Sequence, residues 1–147
     1  MDFMKDASEA TVAVSGGFDP IHIGHIRYIK EASRYGKVIV FLNYDEWLTR
    51  KKGKPFMSYE ERKEILEAIR YVHRVVPVID EGNTVADTIR LHKSTFFAKG
   101  GERTIENIPD EEKIACHDSN TRILTGVGGG KVQSSSWLIR DAVENTM

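Results

Sequence analysis

A chain of 147 residues, 40% of them hydrophobic, is long enough for one compact domain with a core and short for two, so a single domain over 1–147 with its core at about 11–144 is expected. The 21 Lys and Arg nearly cancel the 22 Asp and Glu, which leaves no global basic field and argues against nucleic acid as a partner. Cys116 is alone and has no internal disulfide partner, Met1 to Asp6 lacks the apolar core of a signal peptide, and no apolar run nears the roughly 20 residues that cross a bilayer; a cytoplasmic protein without a membrane partner is expected.

Val12-Ala13-Val14 and Val38 to Leu42 are continuously apolar and β-branched, the pattern of strands buried on both faces. Between them Ile26, Ile29 and Ala32 recur at helical spacing, with Gly36 as a C-terminal stop, which makes a βαβ unit. Ser58-Tyr59-Glu60-Glu61 reads as a capping box ahead of Ile65, Leu66, Ile69 and Val72, and predicts a helix from about Tyr59 to Tyr71. A strand follows near Val75 to Ile79, which Pro77 makes short or places at an edge. A helix from near Thr84 comes next, then a strand over Thr95 to Ala98. The stretch from Ile108 to Asn120 reads as a polar helix or loop, Arg122 to Thr125 as a strand, and the chain after Ser136 as a last helix. This alternation, without hairpin signals, predicts an α/β fold: a Rossmann-like, doubly wound, parallel five-stranded sheet whose ligands bind beyond the carboxyl ends of the strands.

The segment Ser15-Gly16-Gly17-Phe18-Asp19-Pro20-Ile21-His22-Ile23-Gly24-His25 follows the first strand and opens the first helix. Two glycines let the backbone approach a ligand, and a helix N-terminus offers N–H groups to an anion, so phosphate is the natural guest. His22 and His25, with Gly24 between them leaving space, can both donate hydrogen bonds to it. A zinc site lacks a third ligand, because Cys116 and His117 lie in a different, polar part of the chain; no metal site is assigned.

Gly16 to His25 resembles the His-x-Gly-His signature of the cytidylyltransferase-like nucleotidyltransferase superfamily. Lys52-Gly53-Lys54-Pro55, with Tyr59 to Lys63 and Ala68 to Val72, resembles the second block of glycerol-3-phosphate cytidylyltransferases. Lys99-Gly100-Gly101-Glu102 is similar to the Lys-Gly-Gly-Asp block of heptose-1-phosphate adenylyltransferases, and Ser134-Ser135-Ser136-Trp137-Leu138-Ile139-Arg140 resembles the block that closes the catalytic domain in both groups. The resemblance runs from about Val12 to Arg140.

It implies transfer of CMP or AMP from CTP or ATP to a sugar- or polyol-phosphate with release of pyrophosphate. His22 and His25 would stabilise the transition state, the Gly17 and Phe18 backbone would cradle phosphates, Lys52 and Lys54 would neutralise charge, and Arg62 would hold a phosphate. Gly16, Asp19, Gly24, Lys99, Gly100, Gly101, Ser134, Ser135 and Ser136 complete the implied nucleotide site, and His22, His25 and Lys54 are the implied catalytic residues. Magnesium would accompany the NTP, with Asp19 the nearest carboxylate and equally a turn residue bonding to backbone. A homodimer is implied as well. Without the resemblance, Arg50 to Lys54 reads as a solvated loop, Arg62 as an exposed helix residue, and the three serines as a cap. Two other readings stay open: an adenylyltransferase for a cofactor phosphate such as FMN, which needs an aromatic-lined acceptor pocket, and a non-catalytic nucleotide-binding module. Gly126-Val127-Gly128-Gly129-Gly130-Lys131 is no P-loop, since Val132 follows the lysine where Ser or Thr should hold magnesium; it reads as a loop leading to the serines.

Overall fold

The computed structural model describes residues 9–101 and 103–129. In chain order the elements are β1 (Thr11–Gly16), α1 (Ile23–Ala32), β2 (Lys37–Leu42), α2 (Asp45–Lys52), α3 (Tyr59–Glu67), β3 (Val72–Pro77), α4 (Ala86–His92), β4 (Phe96–Gly100), a 3-10 turn (Ile105–Asn107), α5 (Asp110–Asp118) and β5 (Arg122–Val127). The five strands form one parallel sheet in the order β3-β2-β1-β4-β5, the predicted architecture.

Alternation along the strands divides the core. Val12, Val14, Val38, Val40, Leu42, Val75 and Ala98 face one side, where Ile29 and Ala32 of α1 and Leu66 of α3 cover them. Ala13, Ile39, Phe41, Val76 and Phe97 face the other, beneath Ala86 and Ile89 of α4 and Ala115 and Cys116 of α5. With apolar side chains on both faces, these strands are stable only between two helix layers, which is why their sequences read as unbroken apolar runs. The chain winds from β1 out to β3 over one face, then crosses back to β4 and β5 over the other. The reversal falls between β1 and β4, and the crevice beyond their carboxyl ends is where a doubly wound sheet takes its ligand.

Several predicted bounds move. The α1 helix ends at Ala32, capped by Ser33, four residues before Gly36. Gly36 serves the entry to β2 instead, since a Cβ there would lie 2.5 Å from the Ala10 carbonyl oxygen. The α3 helix stops at Glu67 because the chain turns through Ile69 N–H to the Leu66 carbonyl so that Val72 can pair with Val38 of β2. Its predicted stripe is also rotated: Leu66 is inside, Ile65 is 41% exposed, and Arg62 is fully buried. The edge position read from Pro77 holds, with Pro77 the last residue of the edge strand β3. The α2 helix had not been expected, although Asp45 and Glu46 in its first turn and Arg50, Lys51 and Lys52 in its last are the charges a helix dipole favours. Residues 130–147, with the predicted last helix and the end of the glycine loop, lie outside the described residues.

Candidate functional site

The loop from β1 to α1 is built around the two histidines. His22 is the N-cap of α1, its Nδ1 accepting the Gly24 N–H at 3.0 Å, while the His22 N–H donates to Nδ1 of His25 at 3.2 Å. The imidazoles stack with centroids 3.8 Å apart, and buried Phe18 closes on His25 at 4.8 Å. A ring whose Nδ1 accepts a backbone N–H carries its proton on Nε2 when neutral, so in both rings Nε2 is the donor atom. Burial, then the His22 charge and then Lys52, pull the His25 pKa down to about 3, and at neutral pH this ring is uncharged. Of the amides expected to stand open at the helix start, that of Gly24 is taken by His22.

Gly17 has a steric reason. A Cβ on it would sit 2.7 Å from Leu48 Cδ2 and 3.4 Å from Trp47 Cζ3, so α2 packs against the loop where a side chain would otherwise stand. Gly16 closes β1, with its carbonyl accepting the Asn43 N–H at 3.1 Å.

Lys52 ends α2 and Lys54 follows Gly53, where φ is +92° and the helix is broken. Desolvation lowers the Lys52 pKa from its ordinary value, with the Asp19 carboxylate opposing and Lys51 adding to the fall. Lys52 in turn contributes to the lowered pKa of His25, so the lysine segment and the histidine turn share one electrostatic environment.

Arg62 has different partners from those the resemblance implied, and Asp19 bonds to backbone, its alternative role, though on a distant segment rather than in its own turn. The Asp19 carboxylate, 2% exposed, accepts the Phe56 N–H at 2.6 Å and the Met57 N–H at 2.7 Å. Arg62 donates from Nε to Met57 O at 3.0 Å, from Nη1 to Gly17 O at 2.8 Å and Asn43 O at 2.7 Å, and from Nη2 to Asp45 Oδ1 at 2.7 Å. With no exposed surface and four protein acceptors, the guanidinium is spent inside the fold. The Lys99 ammonium likewise meets Glu112 Oε1 at 3.1 Å and lies 4.8 Å from the centre of the Phe97 ring. Gly100 and Gly101 do reach the carboxyl end of β4, and a Cβ on Gly100 would meet Tyr28 Cδ1 at 3.0 Å. Sequence reasoning missed Glu112, Asn43 and Asp45; nothing in an exposed-looking polar run or a strand end marks a residue as buried. Ser134, Ser135, Ser136 and Glu102 lie outside the described residues.

Three aromatic residues sit near this turn without having been singled out: Trp47 against Gly17, Tyr44 tilted against Tyr59 with ring centroids 4.7 Å apart, and Phe56, 64% exposed two residues after Lys54. Among the described residues no group of three His, Cys, Asp or Glu could hold a metal ion, and no helix is long and apolar enough to cross a membrane.

Comparison with known proteins agrees with this geometry. The cytidylyltransferase-like family model matches residues 13–140. The FAD synthase of Pyrococcus horikoshii is 37% identical over 115 residues, 77% of each protein. The bifunctional protein HldE of Geobacter sulfurreducens is 30% identical over 128 residues, which are 85% of this chain and 26% of that protein; the chain spans about a quarter of the length of the HldE proteins it matches. In structure, a lipopolysaccharide core biosynthesis protein from Thermoplasma volcanium shares the fold at a TM-score of 0.65 and 21% identity, over 79% of this chain and 94% of that one. By its histidine turn, its strand order and a match over most of its length, the chain belongs to the cytidylyltransferase-like family of nucleotidyltransferases.

Proposed function

We propose that the chain transfers a nucleoside monophosphate from ATP or CTP to a sugar- or polyol-phosphate and releases pyrophosphate. The observation that carries this reading is the His22–His25 pair, its rings stacked at 3.8 Å and both Nδ1 atoms tied to backbone N–H groups, on the loop that leaves β1 where the strand order reverses. An acceptor phosphate is already anionic near neutral pH, so no base is needed to generate the nucleophile. Its oxygen attacks the α-phosphorus, the bond to the bridging oxygen breaks, and pyrophosphate departs with that electron pair. What remains for the protein is to bring two polyanions together and to stabilise the charge of the in-line displacement. His22 and His25 do this as hydrogen-bond donors and Lys52 and Lys54 as cations, with Phe18 packing the His25 ring.

Magnesium accompanies the triphosphate in this reading, as phosphoryl transfer commonly requires. The described residues do not fit a protein cage for it, since the Asp19 carboxylate is taken by two amides. The homodimer and the cytoplasmic setting implied by the sequence belong to the same proposal, and sedimentation of the purified protein tests the first.

FMN as acceptor, with ATP as donor, is the second reading. FAD is FMN carrying AMP on its phosphate, the FAD synthase match covers most of both chains, and Tyr44, Trp47 and Phe56 are the aromatic residues a flavin site calls for.

The test is pyrophosphate release with each NTP against glycerol phosphate, sugar phosphates and FMN, with His22→Ala as control. Turnover with one pair, lost in the variant, supports transfer and names donor and acceptor. Binding of NTP without turnover against any acceptor sinks both readings in favour of a nucleotide-binding module.

A further inference from the structure

Two buried charged residues, Asp19 and Arg62, converge on one short stretch of backbone. Asp19, on the histidine loop, accepts the N–H groups of Phe56 and Met57 at 2.6 and 2.7 Å, and Arg62 donates to the Met57 carbonyl at 3.0 Å. Arg62 at the same time donates to the carbonyl of Gly17 on the histidine loop at 2.8 Å, to that of Asn43 beyond β2 at 2.7 Å, and to the carboxylate of Asp45 in the first turn of α2 at 2.7 Å. The chain that carries Lys52 and Lys54 is thereby held at both ends: α2 through Asp45, and residues 56 and 57 through Asp19 and Arg62. Asp19 lies three residues before His22, and Phe56 lies two residues after Lys54, so little free chain separates either clamp from the side chain it places.

We infer that Asp19 and Arg62 form a brace that sets the lysine segment against the histidine turn, and that both are positioning residues rather than ligands of phosphate or magnesium. The inference rests on the transfer reading for its catalytic consequence and on the geometry alone for its structural one. Two charged residues of opposite task would look different. A carboxylate kept for a cation leaves oxygen lone pairs facing solvent, whereas Asp19 is 2% exposed and uses both oxygens on amides; an arginine kept for phosphate presents its fork, whereas Arg62 has all three nitrogens engaged and no exposed surface. Charge-assisted bonds of this kind are stronger than neutral ones and are aimed here at backbone, which fixes where the chain runs rather than what it binds.

Such a brace acts through Lys54, and a residue that acts through another loses its effect once the other is gone. Kinetics of pyrophosphate release are compared for the parent, Asp19→Asn, Lys54→Ala and the double variant. Asp19→Asn is expected to lower kcat on the order of tenfold or more, as misplacement of a catalytic group does, with KM for the NTP within about threefold. The magnesium concentration for half-maximal rate stays unchanged, and the double variant falls within about twofold of Lys54→Ala. Arg62→Lys, which keeps the charge and loses the fork, shows the same pattern. Multiplying effects in the double variant, or a raised magnesium requirement in Asp19→Asn, overturns the brace. Hydrogen exchange provides the arm that needs no turnover: the Phe56 and Met57 amides exchange faster in Asp19→Asn while the amides of β1 and β2 keep their protection. If the parent protein turns over no substrate, the transfer reading fails and this measurement decides the brace by itself, unchanged exchange at both amides refuting it.

Discussion

His22 and His25 are each held in one tautomer by a backbone N–H: His22 gives its own to Nδ1 of His25 at 3.2 Å, and its Nδ1 takes that of Gly24 at 3.0 Å. Protonating either Nδ1 would replace an acceptor by a donor facing a donor. For His25 the pH dependence has a definite sign. The His25 pKa falls from its ordinary 6.5 to about 3, chiefly by burial. Below pH 6.5 the unfolded chain takes up a proton at this site that the folded one refuses until about pH 3, so the stability this group contributes is complete above 6.5 and is lost as pH falls across that window. Thermal melts between about pH 7 and pH 4 should show a steeper loss in the parent than in His25→Asn. Parallel curves would mean that the ring is protonated freely in the fold.

Glycines 128 and 129 offer a matched comparison. Gly128 has φ +92°, its N–H reaches Glu31 Oε2 at 2.9 Å, and a Cβ on it would lie 2.8 Å from Tyr28 Cα. Gly129 has φ +75° and open space around it. Gly129→Ala should cost only the about 1–2 kcal/mol of a left-handed residue. Gly128→Ala must in addition push β5 off α1, and a denaturant titration should find it clearly the less stable of the two. Equal costs would show that the contact with Tyr28 yields.

Glu112 carries two tasks on the far face of the sheet. Its Oε1 pairs with Lys99 at 3.1 Å and its Oε2 accepts the Val85 N–H at the start of α4 at 3.0 Å. Removing one partner of a buried pair typically costs about 3–5 kcal/mol, much of it from the charge left behind. Glu112→Leu should therefore be rescued in part by adding Lys99→Met, measured as the midpoint of urea unfolding. Because its ammonium is held by Glu112, Lys99→Met alone should leave KM for the NTP within about threefold. A large rise in KM would return Lys99 to the phosphate site.

Gly17→Ala puts a methyl group where Leu48 Cδ2 now stands, 2.7 Å away. That neighbour is the end of a side chain in a packed setting, so the loop shifts as much as the leucine does. Turnover should fall on the order of a hundredfold, because a displacement near 1 Å is costly for catalysis, and the melting temperature should fall with it, since overpacking beside buried Leu48 costs about 1–3 kcal/mol. Full activity would show that Leu48 gives way alone.

The fold was legible because its signals are local and repeated. Val12 to Val14 and Val38 to Leu42 announce strands covered on both sides, and the helices between them force parallel order. The site was legible only in part. His22, His25, Gly16 and Gly17 stand together in the chain, so their cooperation could be read from spacing. Arg62 could not be placed that way: at its position on α3 an arginine ordinarily faces water, and Ile65, one turn on, was the residue expected inside. What turned the helix was the demand of four groups far apart in sequence, Gly17, Asn43, Asp45 and Met57, for donors beneath a loop that water does not reach.

The sequence by itself determined the strand alternation and the histidine turn, since each depends on residues within a dozen positions of one another. Only the tertiary structure decided the tasks of Asp19, Arg62, Lys99 and Glu112. A charged side chain declares its role through its partners, and these partners come from other loops that meet only when the sheet has closed, where burial leaves no alternative to pairing.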